Sequence, residues 1–380
     1  MNKWKWQFWL VFAAAFSVFF AIAVLIPVLP LFIHEKLRLG DVAVGVIMGL
    51  QPTGAVGSRL LVGRATSKFG IWRTLAFGTS LCALGSLLFL LPASDVLFGV
   101  ARFLQGFGEG FTFTAGTTWV IATAPKEQKG KLVSLFGLSL WLGATIGPMV
   151  GGFINSVQGF LAVAIAAILP PSIFGVVAFF QESIPLGSSE DKSVEWIPKE
   201  SLAPGFTLAL ASTGFVAVST FGALYFSSRS WNYGAWMVVA YGLGFVLMRV
   251  FGGHWIDRYS SSRVAASSAS LAALGMLCVV VSPFWLLTVF GSLLGGLGLA
   301  LMYPALAIES VRGVEPARQG NVLGWYTAFW DLSLLGSNFL FGWLAAQKGY
   351  PSVFLVSCLA SVLCVVFVAT RSQARVLKSF

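Results

Sequence analysis

Runs of about twenty apolar residues follow one another along almost the whole chain, and no other feature restricts its fold as strongly. A helix needs ~20 apolar residues to cross a bilayer, and the first run, at 10–33, already reaches that length. Only 10% of the residues are charged, whereas a soluble domain carries about 25%. The short alternating segments of a membrane β-barrel do not occur. The chain is therefore predicted to be an all-α protein that crosses a membrane many times.

Twelve membrane-spanning helices are predicted. They cover residues 7–33, 42–63, 73–92, 96–123, 131–154, 159–180, 205–227, 234–254, 263–282, 284–308, 321–346 and 350–370. Segment 181–203 interrupts the series with seven charged residues, and it is predicted to be a cytoplasmic linker. It separates an N-terminal six-helix bundle at 1–180 from a C-terminal six-helix bundle at 204–380.

Prolines predict irregular helices at two places. Pro27 and Pro30 predict a kink in the first span, because proline lacks a backbone donor. For the same reason Pro170 and Pro171 predict a break in the sixth span. Such irregularities survive in a bilayer only where neighbouring helices or water satisfy the freed carbonyls.

The two halves of the chain repeat each other at an offset of 190 residues. Segment 54–73 recurs at 244–263, with two glycines and three basic residues at matching positions. The same offset aligns Gly106 with Gly296 in a later span. A repeat at half the chain length predicts two related bundles.

Basic residues are distributed unevenly between the two sides of the predicted membrane. With the N-terminus inside, 19 of the 24 Lys and Arg residues fall on the inner side, four on the outer side, and Arg102 within a span. Basic residues stay on the cytoplasmic side, so both termini are predicted to be cytoplasmic, in a bacterial inner membrane. This topology accounts for the net charge of +10 without a nucleic-acid partner.

The two basic segments resemble a loop signature of the major facilitator superfamily, Gly-x-x-x-Asp-Arg-x-Gly-x-[Arg/Lys]-[Arg/Lys]. The matching residues are Gly63, Lys68, Gly70 and Arg73 in the first copy, and Gly253, Asp257, Arg258 and Arg263 in the second. Ser67 replaces the usual aspartate of the first copy, and Ser260 replaces the glycine of the second. The resemblance implies loops that clasp neighbouring helices on the inner face. Plain positive-inside anchoring is the alternative reading.

The fifth span resembles a second signature, Gly-x-x-x-Gly-Pro-x-x-Gly-Gly, common among the antiporters and multidrug exporters of that superfamily. The matching residues are Gly143, Gly147, Pro148, Gly151 and Gly152. The resemblance implies the twelve-span drug:proton antiporter branch, and hence exchange rather than uptake. Its purely physical reading is helix packing through small residues.

Three ionisable residues lie deep within predicted spans: Arg102, Glu109 and Asp331. An intramembrane charge is costly and is by default a functional hypothesis. Arg102 begins an Arg-x-x-x-Gly element, which in the superfamily is linked to proton transfer. A carboxylate in an apolar setting can load and release a proton near neutral pH, so these three residues are predicted to couple transport to protons. Alternatively, Arg102 and Glu109 form a fixed buried network, and Asp331 bonds to a neighbouring helix.

A substrate cavity is predicted near the bilayer midplane, between the two halves, as in transporters of this kind. Its predicted lining residues are Gln51, Gln105, Phe113, Trp119, Tyr303, Tyr326, Thr327, Trp330 and Asn338. An aromatic cavity with a carboxylate suits amphipathic organic cations. The polar members of the set leave open a sugar, an amino acid derivative or a metal-chelating compound.

These observations predict a monomeric secondary transporter that exports small, drug-like molecules by alternating access. A symporter or uniporter remains an alternative. The expected partners are the substrate, H⁺ and the bilayer, with the proton gradient as driving force and with no cofactor or metal. An enzyme is not expected, because the two histidines are remote in sequence and no nucleophile–base spacing is visible.

Overall fold

A computed structural model describes residues 3–92, 94–125, 128–182, 198–232 and 234–378. Twelve helices of 18 residues or more follow one another in this part of the chain. They are α1 (Lys3–Ala23), α2 (Asp41–Phe69), α3 (Ile71–Leu88), α4 (Asp95–Thr123), α5 (Lys129–Gln158), α6 (Phe160–Phe179), α7 (Lys199–Val216), α8 (Ala235–Gly252), α9 (Ser261–Val280), α10 (Trp285–Val311), α11 (Pro316–Lys348) and α12 (Tyr350–Lys378). Short helical segments lie at Leu29–Leu31, Phe32–Lys36, Ala217–Phe221, Gly222–Ser228 and Trp255–Arg258.

Nine helical segments of the described residues are long and apolar enough to cross a membrane. The other three long helices, α2, α4 and α11, have 29, 29 and 33 residues, which exceeds the ~20 residues that a span needs. Charged residues lower the hydropathy of these helices: Asp41 and Arg59 in α2, Arg102 and Glu109 in α4, and Asp331 in α11. The all-α membrane fold is confirmed, and the count of twelve spans stays a prediction.

The chain divides into two compact units, Met1–Glu190 and Asp191–Phe380. The first contains α1–α6 and the second contains α7–α12. Most of the predicted linker at 181–203 lies outside the described residues, so its structure and the predicted bundle limits stay predictions.

The structure confirms one of the two proline predictions and contradicts the other. Helix α1 ends at Ala23, the chain turns over residues 24–28, and helix resumes at Leu29 beside Pro27 and Pro30. By contrast, α6 runs without interruption through Pro170 and Pro171, so the predicted break is wrong. Hydrocarbon offers no water to the carbonyls of a broken helix, and keeping the remaining helical bonds is therefore favoured.

The repeat seen in the sequence is also a repeat of helix contacts. A Cβ atom on Gly54 would overlap the Phe103 carbonyl oxygen, and one on Gly244 would overlap the Leu293 carbonyl oxygen. Both pairs of residues are related by the offset of 190. Helices α2 and α4 therefore approach each other in the first unit as α8 and α10 do in the second.

A second helix pair repeats in the same way. A Cβ on Gly108 of α4 would overlap the Gly78 carbonyl oxygen of α3, and one on Gly298 of α10 would lie 2.6 Å from the Ser268 carbonyl oxygen of α9. Glycine thus allows close backbone approach at equivalent positions in both units. The two units share one packing scheme, so differences between them at equivalent positions are informative about function.

Substituting Gly106 by alanine is expected to destabilise the first unit by about 1–3 kcal/mol, the usual cost of overpacking. A Cβ there would overlap the Gln51 carbonyl oxygen, which is backbone and cannot swing aside. Gly57→Ala on α2 is the matched control, because no atom of the described residues lies within 4 Å of a Cβ at that position. Thermal unfolding of both variants in detergent measures the difference. Equal unfolding midpoints would contradict the packing described here.

Candidate functional site

The polar residues of α4 lie on one face of the helix, because three and four residues separate Arg102, Gln105 and Glu109. Arg102 is only 2% exposed and Gln105 is fully buried. Arg102 Nη1 donates a hydrogen bond to Gln105 Oε1 at 3.0 Å, and Gln105 Nε2 donates to Ser86 Oγ on α3 at 2.9 Å. Ser86 Oγ in turn donates to the Cys82 carbonyl oxygen at 2.9 Å. The Arg102 charge is thus fixed to the neighbouring helix.

Glu109 occupies the other end of this face, where α2 comes close. Gln51 Nε2 donates a hydrogen bond to Glu109 Oε2, and both side chains are half-buried. The contact is possible because Gly106, one turn earlier on α4, lets the Gln51 backbone approach. Glu109 is therefore held at the α2–α4 interface but retains some exposure.

Arg102 and Glu109 also interact through their charges. The Nε atom of Arg102 is buried and has no hydrogen-bond partner among the described residues. A buried donor of this kind is costly unless something satisfies it. The hydrogen bonds of the predicted fixed network are thus present on the Arg102 side, and Nε is a donor that this network leaves unsatisfied.

The second unit is an internal control for this cluster. At the offset of 190, Gln51, Arg102, Gln105 and Glu109 correspond to Tyr241, Ser292, Gly295 and Leu299. Ser292 Oγ donates to the Thr288 carbonyl oxygen within its own helix at 3.1 Å. A Cβ on Gly295 would lie 3.0 Å from the Tyr241 ring. The same helix packing thus forms without any of these charges, so the fold does not require them.

Asp331 of α11 is the charged residue of the second unit that was predicted to act. It is 6% exposed. Thr327, which lies one turn before Asp331 on the same helix, belongs to a set of hydrogen-bonded residues. Tyr303 Oη and Thr327 Oγ1 lie 3.0 Å apart, and Tyr326 Oη donates to the Tyr303 carbonyl oxygen at 2.7 Å. The rings of Tyr303 and Tyr326 have centroids 5.3 Å apart.

Two residues of these clusters were not predicted from the sequence. Ser86 accepts the Gln105 hydrogen bond, and nothing distinguishes it from other small polar residues in apolar helices. Arg249 of α8 lies near Tyr303 and Tyr326, and its guanidinium lies 5.3 Å from the centre of the Phe245 ring. One feature of the sequence indicated that Arg249 matters, namely its alignment with Arg59 at the offset of 190.

The remaining predicted lining residues fall into two groups. Gln51, Phe113, Tyr303, Thr327 and Trp330 are half-buried, whereas Gln105, Trp119, Tyr326 and Asn338 are buried. Trp119 packs between Trp4 and Trp72, with ring centroids 6.1 and 5.9 Å away. Asn338 accepts a hydrogen bond from Thr220 Oγ1 at 2.8 Å. The buried group holds helices together within each unit, and a lining role for either group stays a prediction.

The glycine signature of α5 packs against the end of α1. Cβ atoms on Gly143 and Gly147 would lie 2.9 Å from Phe19 Cβ and 2.7 Å from Ala23 Cβ, and one on Gly151 would overlap the Val24 carbonyl oxygen. Pro148 and Gly152 lie within the continuous helix. Val24 is the first residue of the turn that interrupts the first span. The signature therefore faces the point where that span is irregular.

The first basic signature is almost entirely helical, although the sequence predicts a loop. Gly63 and Lys68 belong to α2, which continues to Phe69, and Arg73 lies in the first turn of α3. Gly70 alone separates the helices, with φ of 80°, and its N–H caps α2 at the Thr66 carbonyl oxygen. Positive φ favours glycine here, because a Cβ would be strained.

The second basic signature has a longer connection. Gly253 lies in a turn after α8, Arg258 ends the short helix Trp255–Arg258, and Arg263 is exposed in α9. The Arg258 guanidinium lies 6.0 Å from the centre of the Tyr259 ring. The side chain of Asp257 lies outside the described part of the structure, so its predicted role is untested.

Replacing Gln105 by leucine is expected to destabilise the first unit by ~1–3 kcal/mol, because it leaves Arg102 and Ser86 without their shared partner. Arg102→Met added to this variant removes the unsatisfied charge, so the double variant is expected to cost less than the sum of the single changes. Of the two hydrogen bonds of the Gln105 side chain, Ser86→Ala removes only the one to Ser86, and it serves as the milder control. Unfolding midpoints in detergent are measured for the unmodified protein, for Gln105→Leu, Arg102→Met and Ser86→Ala, and for the double variant. If the effects of Gln105→Leu and Arg102→Met simply add in the double variant, the two residues are not coupled.

Comparison with known proteins agrees with this architecture. A sequence profile of the Major Facilitator Superfamily matches residues 11–235 and 230–378. An uncharacterized MFS-type transporter of Burkholderia pseudomallei (strain 1106a) is 30% identical over 359 residues, which cover 91% of this chain and 87% of that protein.

Solved structures show the same fold at low sequence identity. The nucleoside transporter NupG superposes with a TM-score of 0.78 at 14% identity, over 95% of this chain and 99% of that one. A D-xylose–proton symporter superposes with a TM-score of 0.79 at 14% identity, over 95% and 96%. With nearly its whole length matched by the family profile, this multi-pass membrane protein belongs to the major facilitator superfamily of transporters.

Proposed function

We propose that the protein is a proton-coupled transporter that exports small organic molecules from the cytoplasm of a bacterium by alternating access. The observation that carries the proposal is the charged cluster of the first unit. The second unit forms the same helix contacts with Tyr241, Ser292, Gly295 and Leu299 in its place. Intramembrane charges that packing does not require are best explained by function.

Within the cluster, Glu109 is the residue suited to carry the proton. Arg102 is buried and bonded to Gln105, which is itself bonded to Ser86, whereas Glu109 is half-buried and bonded to Gln51. Protonation removes the Glu109 charge and with it the attraction to Arg102. Protonation also weakens the hydrogen bond that Gln51 of α2 donates to Glu109 of α4, because a bond to a charged acceptor is the stronger kind. The weaker contact changes the balance of forces between α2 and α4, which is how a proton biases one conformation over another.

The second unit supplies groups for the substrate. Asp331 offers negative charge, and Tyr303 and Trp330 offer half-buried aromatic surface. An aromatic ring beside a carboxylate suits an amphipathic organic cation. Export rather than uptake is supported by the glycine signature of α5, which resembles that of exchangers and drug exporters in the family.

A polar metabolite is the second candidate substrate. The hydrogen-bonded pair of Tyr303 and Thr327 offers hydroxyl groups that sugars and similar solutes can bind. The similar structures include a nucleoside transporter and a D-xylose–proton symporter, so this fold accepts polar solutes and couples to protons.

Substrate-induced proton movement in proteoliposomes tests the proposal. The purified protein is reconstituted with a pH-sensitive dye in the lumen, and permanently charged aromatic cations, sugars, nucleosides and amino acid derivatives are added in turn. We expect at least one class to move protons in the direction opposite to its own. Transport that needs Na⁺ and ignores the proton gradient would refute the proposed coupling.

A further inference from the structure

A groove of about 820 Å³ opens on the first unit between the basic end of α2, α3 and the end of α6. Its volume lies within the ~300–1,000 Å³ typical of ligand pockets. The walls are largely aromatic and comprise Phe69, Phe77, Phe111, Phe179 and Phe180. Phe77, Phe179 and Phe180 are 50%, 66% and 78% exposed, so the described residues leave this apolar surface open.

The floor of the groove is formed where α3 and α6 pack closely. A Cβ on Gly175 would lie 2.9 Å from Thr79 Oγ1 and 3.2 Å from Ser80 Oγ. Ser80 itself lines the groove and is exposed. A small residue on each helix therefore leaves room for a chain to lie between the aromatic walls.

Positive charge lies at one end of the groove. Arg73 is one of the lining residues, and it follows the Gly70 turn that joins α2 to α3. Arg64 and Lys68 are exposed on the last turns of α2. Glu182, past the end of α6, is the described acidic residue closest in sequence to the walls. Three basic residues thus outnumber one acidic residue here.

The second unit shows that the repeat does not require this groove. At the offset of 190, Gly175, Phe77, Phe179 and Phe180 correspond to Val365, Ser267, Ala369 and Thr370. Arg73 and Ser80 correspond to Arg263 and Ser270, which keep the same residue types. The second unit thus keeps the charge and, with Tyr259 in the place of Phe69, one aromatic residue, but it has neither the small floor residue nor the aromatic side chains of Phe77, Phe179 and Phe180.

We propose that this groove binds one anionic phospholipid, with an acyl chain along the aromatic walls and the phosphate group on Arg73. A free phosphate would leave the apolar walls uncovered, and an uncharged head group would not complement the positive charge of the basic end. Basic pockets between membrane helices bind anionic head groups, and the positive end is the side expected to face the cytoplasm. The site does not depend on which compound the protein transports.

Native mass spectrometry of the purified full-length protein tests the site. The protein is titrated in detergent with palmitoyl-oleoyl phosphatidylglycerol, with phosphatidylcholine of the same chains, and with glycerol phosphate. We expect the first phosphatidylglycerol to bind more tightly than phosphatidylcholine, and glycerol phosphate not to bind. Arg73→Gln is expected to weaken phosphatidylglycerol binding roughly fivefold, the effect of one basic residue near anionic lipid.

Equivalent substitutions in the second unit provide matched controls. Ser80→Phe fills the groove and is expected to weaken binding of both lipids, whereas Ser270→Phe and Arg263→Gln are expected to leave both unchanged. All four positions are exposed, and unfolding midpoints verify that each variant is folded. Equal losses for Arg73→Gln and Arg263→Gln, or unaltered binding by Ser80→Phe, would overturn the proposed site.

Discussion

Replacing Glu109 by glutamine is expected to abolish proton-driven accumulation of substrate while the helices remain folded. Glutamine has the same length, and its carbonyl oxygen can still accept the hydrogen bond that Gln51 donates to Glu109. It cannot bind or release a proton, so only the coupling is removed. We expect gradient-driven accumulation to fall to the level of liposomes without protein, while exchange of labelled for unlabelled substrate continues.

Asp95→Asn is the matched control for this substitution. Asp95 lies in the first turn of the same helix, α4, and is exposed, so its charge is not intramembrane. We expect Asp95→Asn to accumulate substrate like the unmodified protein. If Glu109→Gln also accumulates substrate normally, the proton site lies elsewhere and the role assigned to the cluster is wrong.

Replacing Asp331 by asparagine is expected to weaken binding of cationic substrates by roughly 10- to 100-fold, since a hydrogen bond to a charged group contributes about 1.5–3 kcal/mol. Uncharged polar substrates are expected to be little affected, because asparagine keeps a hydrogen-bonding group of similar size. Competition between a fluorescent cation and both classes of compound measures the two affinities in one assay.

Glu315→Gln controls for a general loss of negative charge from the second unit. Glu315 is exposed and precedes the first residue of α11, the helix that contains Asp331. We expect it to bind the cation normally. If Asp331→Asn weakens the binding of cations and of uncharged solutes equally, Asp331 has a structural role. If that variant no longer moves protons, Asp331 and not Glu109 is the proton site.

The repeat is the part of the fold that the sequence predicted best. Glycines aligned at an offset of 190 also make equivalent backbone contacts, as Gly54 and Gly244 show. Helical spacing likewise predicted that Arg102 and Gln105 share a face, and they are hydrogen-bonded. Both predictions depend on geometry within one helix or on residue size, which sequence reports directly.

Helical spacing in the sequence could not predict the contacts between different helices. Spacing along α4 could not show that Gln105 bonds to Ser86, which lies on another helix. Nor could it distinguish Trp119, which is buried between two tryptophans, from Trp330, which is only half-buried. Periodicity defines the faces of a helix, and only the packing of several helices determines which face is covered.

Helix boundaries failed for a related reason. The break predicted at Pro170 and Pro171 and the loop predicted after Gly63 both treat local breakers and charges as decisive. In the structure both helices continue, to Phe179 and Phe69. Within hydrocarbon, the cost of unsatisfied backbone groups exceeds the local effect of the two prolines of α6. The last turns of α2 are helical although they carry Arg64 and Lys68.

Uphill transport under an imposed gradient tests the central claim, proton-coupled export, most directly. Proteoliposomes with an acidic lumen receive a permanently charged aromatic cation such as ethidium, which a pH gradient alone cannot trap as it would a weak base. We predict accumulation above the external concentration, abolished by a protonophore and reversed when the lumen is alkaline. Accumulation only in alkaline liposomes, or only with a sodium gradient, would contradict proton-driven export.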